Sequence, residues 1–116
     1  MSDLRDQWVK CLVTGSPIRA VGVQATGLVQ EINRRHRYEG EEGKLIGEAV
    51  LGALLIASYG KQEEHVNLAV RGSGLFRQVF VDASSDGFVR GYGSRREAPE
   101  KSDPTRGPWG DGLLSV

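Results

Sequence analysis

Asp82, Ser84, Asp86 and Gly87 stand where an EF-hand calcium loop places its first, third and fifth ligands and its turn glycine. Oxygen ligands at that spacing can wrap a hard cation, provided a bidentate glutamate closes the loop at its twelfth position and helices flank it. Counted from Asp82, the twelfth position is Gly93, and residues 76–81 and 88–92 are patterned as strands. Asp and Gly also tolerate the dihedral angles of tight turns. The stretch reads as a β-hairpin tip that binds no calcium.

Other reactive residue types stand in equally incomplete arrangements. Gly72 and Gly74 begin a dinucleotide-loop pattern, but Arg77 occupies the place of its third glycine. A strand rather than a phosphate-binding helix follows. Glu63 and Glu64 precede His65, which is not the order of a zinc-protease helix, and no nucleophile stands beside His65 or His36. Cys11 is the single cysteine, whereas a zinc site wants about four Cys or His ligands at short spacing. On the apolar side of a short helix, that thiol is expected to be packed rather than reactive. No catalytic constellation emerges, and the sequence is not that of an enzyme.

The whole chain bounds what these residues can serve. Its 116 residues make one domain, 1–116, and 39% hydrophobic with 26% charged residues is an ordinary globular mix. Fifteen Lys plus Arg balance fifteen Asp plus Glu. Neutrality argues against nucleic acid or an anionic membrane as the main partner. The opening residues carry no secretory pattern, and the apolar stretch 45–57 is shorter than the roughly 20 residues that span a bilayer. A cytoplasmic location is expected.

The elements follow from periodicity. Leu4, Trp8, Cys11 and Leu12 recur at helical spacing and predict a short helix, broken at residues 14–17. Residues 18–25 read as a strand with Val21, Val23 and Ala25 on one side. Thr26 is the expected cap of a helix carrying Leu28, Val29 and Ile32. The basic run Arg34–Arg37 falls in its last turn, where cations complement the helix dipole. After a polar loop at 38–44, residues 45–59 are apolar nearly all round and predict the buried central helix, with Glu48 in its first turn and Gly60 as its cap. Strands are expected at 65–72, 75–83 and 87–93, joined by tight turns. The fold class is α+β, an antiparallel meander packed against a helical pair.

Residues 94–110 hold three of the four prolines and read as an exposed connection, in which Trp109 is the one large apolar residue. Residues 112–116 begin a further strand that looks cut rather than finished.

In this order, the segments at 18–31, 45–58, 81–92 and 110–116 resemble the N-terminal domain of the heat-shock protein 33 family, bacterial redox-switched holdase chaperones. The resemblance spans nearly the whole chain. It implies a domain that holds unfolded client proteins without hydrolysing ATP. The family's redox switch is a zinc site of Cys-x-Cys and Cys-x-x-Cys pairs in its C-terminal region. Cys11 matches neither pair, so the resemblance assigns no cofactor, zinc included, and no catalytic residue to these 116 residues. The family domain continues with further strands, so a truncated domain is expected.

A sheet that ends early leaves unpaired edge groups. Leu113, Leu114, Ser115 and Val116 are therefore expected to pair with another chain, most simply in a homodimer or swapped arrangement. Trp109 is the expected client contact. An inert oligomerisation or interaction module of the same fold is the alternative, and a nucleic-acid binder using Arg34–Arg37 with Arg95 and Arg96 is the third reading.

Overall fold

Alternation and helical spacing sort residues 6–96 and 107–116, those the structure describes, into six strands and two helices in this computed structural model. Strands β1 (Gln7–Leu12) and β2 (Arg19–Gln24) form an antiparallel hairpin. Helices α1 (Thr26–His36) and α2 (Gly40–Ala57) follow. Strands β3 (His65–Gly72), β4 (Phe76–Ser84), β5 (Val89–Arg95) and β6 (Gly112–Ser115) make an antiparallel sheet in the order β5-β4-β3-β6. The α+β class and the β3–β4–β5 meander stand as read from the sequence.

The core lies between α2 and the four-stranded sheet. Val79, Val81 and Ala83 alternate along β4 and are fully buried, as a strand half covered by a helix requires. Leu45, Ile46, Val50 and Leu54 face them from α2. Phe76 is the largest fully buried side chain, and its ring meets Tyr38 edge-on at 5.4 Å. The outward residues of β4 and β5, Phe80 and Tyr92 among them, lie on the sheet's other face.

Several expectations are corrected. The helix predicted through Trp8, Cys11 and Leu12 is strand β1, because Arg19–Gln24 lie across the turn and satisfy its backbone. A helix this short is marginal without packing, whereas a hairpin pairs every residue from Gln7 to Leu12. Leu4 lies outside the described residues. Cys11 is accordingly exposed, not packed.

Helix α2 begins at Gly40 rather than Leu45, with Glu41 and Glu42 in its first turn. The glycines at 40 and 43 suggested a loop, but Gly43 is a packing residue. A Cβ there would stand 2.9 Å from Asn33 Nδ2, and Asn33 donates to the Gly43 carbonyl at 3.2 Å. Glu48 is therefore in mid-helix, not the first turn.

Thr26 does not cap α1. The N-cap is Ala25 without a side-chain bond, and Asp6 takes the role from the hairpin. Its carboxylate accepts from Gly27 N–H at 2.9 Å and Leu28 N–H at 2.8 Å. At the far end of α2 the cap is Ser58, while Gly60 N–H still reaches the Ala57 carbonyl at 2.9 Å.

Within 94–110, Ser94 and Arg95 extend β5, and residues 97–106 lie outside the described residues. Residues 107–110 form a turn, and Gly110 has φ +67.

Candidate apolar binding groove

Two glycines decide where Trp109 goes. Gly74 N–H donates to the Trp109 carbonyl at 3.0 Å and Leu75 N–H to the Pro108 carbonyl at 3.0 Å. Ser73 adds two bonds with Asp111, its N–H to the carbonyl at 3.1 Å and its Oγ accepting from Asp111 N–H at 2.8 Å. A Cβ on Gly74 would overlap the Pro108 carbonyl oxygen, and one on Gly72 the Trp109 carbonyl oxygen. Only glycines allow backbone to approach backbone this closely. The β3–β4 turn thus holds the 107–111 turn beside it.

Trp109, half-buried, then lies over α2, where its Nε1–H donates to Glu48 Oε2 at 3.3 Å. With Ala49 and Gly52 of α2, Leu68 and Val70 of β3 and the two leucines of β6, it lines an open groove of about 350 Å³. Glu48 is the one charged residue of that lining. Leu113 and Leu114 are 63% and 60% exposed.

Strand β6 pairs antiparallel with β3 of its own chain, Leu114 opposite Val70 and Leu113 opposite Arg71. Among the described residues it is an edge of the sheet, so its other side has no strand partner among them. The residues expected to find a strand partner therefore have one within the chain along one edge, and Val116 lies just past the strand.

Further apolar residues are exposed on the hairpin: Val9, Leu12, Val13 and Ile18, with Val9 and Leu12 on opposite faces of β1. Leu55, Ile56 and Tyr59 at the end of α2 are exposed too, and the Arg19 guanidinium sits 5.5 Å from the Tyr59 ring centroid. The sequence reading missed these exposed residues, because an exposed aliphatic residue and a buried one look alike until the packing is known.

The remaining candidates separate. Of the suspected calcium residues Asp82 lies inside β4, while Ser84, Asp86 and Gly87 make the β4–β5 turn, with Gly87 at φ +93 and Ser84 Oγ accepting from Asp86 N–H and Phe88 N–H. Asp82 is spoken for by His65 Nδ1 at 3.2 Å and Arg90 at 3.6 Å. Gly93, at the closing position, is inside β5.

Two arginines of the basic run share one acid of their own helix. Arg34 and Arg35 both bond Glu31, at 2.7 and 2.8 Å, and their guanidiniums hold its carboxyl at about 2, below its ordinary 4.5. Arg95 bonds Glu42 at 2.6 Å and lies 4.8 Å from the Tyr38 ring centroid; that hydrogen bond raises its own pKa. Arg96 donates to the carbonyls of Gly72 and Gly74.

A zinc site of two cysteine pairs does not fit these residues. Cys11 is alone, and among the described residues no three His, Cys, Asp or Glu side chains stand close enough to hold a metal ion. Among them, too, no helix is long and apolar enough to cross a membrane.

The family model described as Hsp33 protein matches residues 6–116. Similar proteins include the 33 kDa chaperonins of Synechocystis sp. and Gloeobacter violaceus, 40% and 41% identical over 90 residues. The 33 kDa chaperonin of Trichodesmium erythraeum is 39% identical over the same length. Each match covers 77% of this chain but only 29–30% of the relative, so the chain spans less than a third of the length of those proteins.

Proposed function

The chain belongs to the Hsp33 protein family, and from that premise we propose that it is a chaperone domain of the holding kind, binding unfolded client proteins without ATP and keeping them from aggregating. The observation that carries this reading is the groove under Trp109, bordered by two exposed leucines and by β6, an edge strand among the described residues. A non-native client offers extended backbone and scattered apolar side chains. The edge can hydrogen-bond the first and the groove can take the second. The reading assigns no reaction and no cofactor to these residues, and it places the protein in the cytoplasm.

Magnitudes set the mode of binding. Burying one exposed leucine is worth about 1.5–3 kcal/mol, while association costs roughly 4–15 kcal/mol in lost freedom. Leu113 and Leu114 alone therefore do not hold a client. Strand pairing along β6, or simultaneous contact with exposed apolar residues of the hairpin, must add to them. Broad, weak and additive contact suits a partner that has no fixed shape.

The same free edge serves a second copy of the chain in the homodimer this reading includes. Leu113→Lys places a charge on that edge and should shift the assembly toward monomer in sedimentation. A wild-type chain that stays monomeric at high concentration would remove the dimer and leave the holding activity standing.

The direct test is light scattering from a heat-unfolding client, with and without this chain, in the absence of ATP and oxidant. Suppression at near-stoichiometric ratio is the expected result. A folded chain that leaves scattering unchanged would favour the alternative, an interaction module of the same fold.

A further inference from the structure

Glu48 lacks the role that its place in the sequence suggested. It stands in mid-helix, beyond the first turn of α2, where Glu41 and Glu42 complement the dipole. Glu31 is met by Arg34 and Arg35, and Glu42 also by Arg95. Among the described residues no cation pairs with Glu48, Lys44 one turn earlier included. Its carboxylate is exposed and takes one bond, from Trp109 Nε1–H to Oε2 at 3.3 Å.

We propose that Glu48 makes the groove under Trp109 select client segments in which Lys or Arg stands beside apolar residues. The inference rests on the holding reading and names what that same site prefers.

The sign of the groove carries the argument. Its lining is apolar apart from Glu48, so the groove is negative although the whole chain is neutral. Arg71, the next residue along β3, alternates to the other face of the strand from Leu68 and Val70. Apolar client residues enter such a groove whatever accompanies them. Segments differ in the charge that they bring next to Glu48.

Lysine and arginine suit the place twice over. Their stems are apolar along most of their length and can lie on the lining while the charged head reaches the carboxylate. An acidic segment would instead set like charge beside Glu48. The bond from Trp109 engages Oε2 and leaves Oε1 to accept from a client. It also holds the carboxylate in place, which lowers the side-chain entropy lost when a pair forms. Because Glu48 is exposed, the pair is screened and the selection graded. A graded preference lets the groove accept many clients and still rank them.

The test uses labelled unstructured peptides of one length, alike in scattered Leu and Val, with Lys, Gln or Glu at two accompanying positions. Fluorescence anisotropy at low salt should rank the lysine peptide first and the glutamate peptide last. The two should differ roughly 2- to 10-fold, as one exposed charge pair allows. Added salt should close the gap. Glu48→Gln, which keeps an acceptor for the indole, should erase the order, and Glu48→Lys should invert it. Glu41→Gln removes a charge from the same helix outside the groove and should leave the order as it was. The Trp109 indole N–H signal reports whether each variant keeps the groove.

Equal binding of the three peptides would overturn the proposal and leave the holding reading standing. A lysine preference that survives Glu48→Gln would overturn it too, by placing the selection on another acid. If none of the peptides binds, the holding reading falls and this inference with it. An indole signal that moves with chain concentration but with no peptide would give the groove to a second copy of the chain.

Discussion

Tyr38 Oη clasps Gly93 from both sides: it accepts from the Gly93 N–H and donates to the Gly93 carbonyl, each at 2.8 Å. The residue between the helices is thereby locked onto β5. Gly93 has no room for a side chain, since a Cβ would fall 2.7 Å from the Phe76 ring. Tyr38→Phe keeps the ring but strands two backbone groups. It should cost about 1–3 kcal/mol in urea unfolding, with the slope unchanged. A loss below a few tenths would mean that water replaces the hydroxyl.

Asp6 joins the hairpin to α1, and its removal should be felt at the helix. Asp6→Ala is expected to cost about 0.5–2 kcal/mol, the usual value of an N-cap. Amide exchange at Gly27 and Leu28 should speed up before that at Ile32. Asp6→Asn, which keeps one acceptor, should recover part of the protection. Unchanged exchange in both variants would remove Asp6 from this role.

Glu31 should titrate far below an ordinary glutamate. Its carboxyl is held at about 2 by hydrogen bonds from Arg34 and then Arg35. A depressed acid stabilises the fold fully above its unfolded value, near 4.5, and that stabilisation is lost as pH falls toward about 2. Because the group is exposed, salt should screen the pair. Carboxyl carbon shifts followed by NMR should give a midpoint near 2 at low salt, rising as salt is added. A midpoint at 4.5 at low salt would show that the guanidiniums do not hold it.

The docking of Trp109 depends on Gly74. Gly74→Ala should push the 107–111 turn away, move the Trp109 indole N–H signal and accelerate amide exchange in β6. Gly22→Ala is the control, because open space surrounds that position. Equal responses from the two variants would count against the close backbone approach as the cause.

Client protection should follow the β6 leucines. Leu113→Asp with Leu114→Asp changes two exposed residues and should move stability by no more than about 1 kcal/mol. Scattering suppression should nonetheless fall markedly. Retained suppression would transfer the holding role to the hairpin, where Leu12 and Ile18 are the residues to change next.

Much of the site's framework was legible before any coordinates. The alternation of Val66, Leu68 and Val70, and of Val79, Val81 and Ala83, identified β3 and β4, and the apolar run from Leu45 identified α2. Trp109 and the β6 leucines stood out as apolar residues in polar or terminal company. The groove they share with α2 did not, because Glu48 and Trp109 are 61 positions apart.

The sequence by itself determined which face of each main element is apolar, the turns between β3, β4 and β5, and the absence of a complete calcium, nucleotide or zinc motif. Periodicity is local, so burial of one face leaves its mark within a few residues. The tertiary structure decided everything that depends on a distant partner. It made residues 7–12 a strand, by supplying Arg19–Gln24 to pair with them. It gave the cap of α1 to Asp6, 21 positions away from Gly27, and turned Gly43 from a loop signal into a packing contact. It also sent β6 back to β3 of its own chain. A backbone N–H carries no record of which acceptor it will meet, because that choice is made when distant segments are packed together.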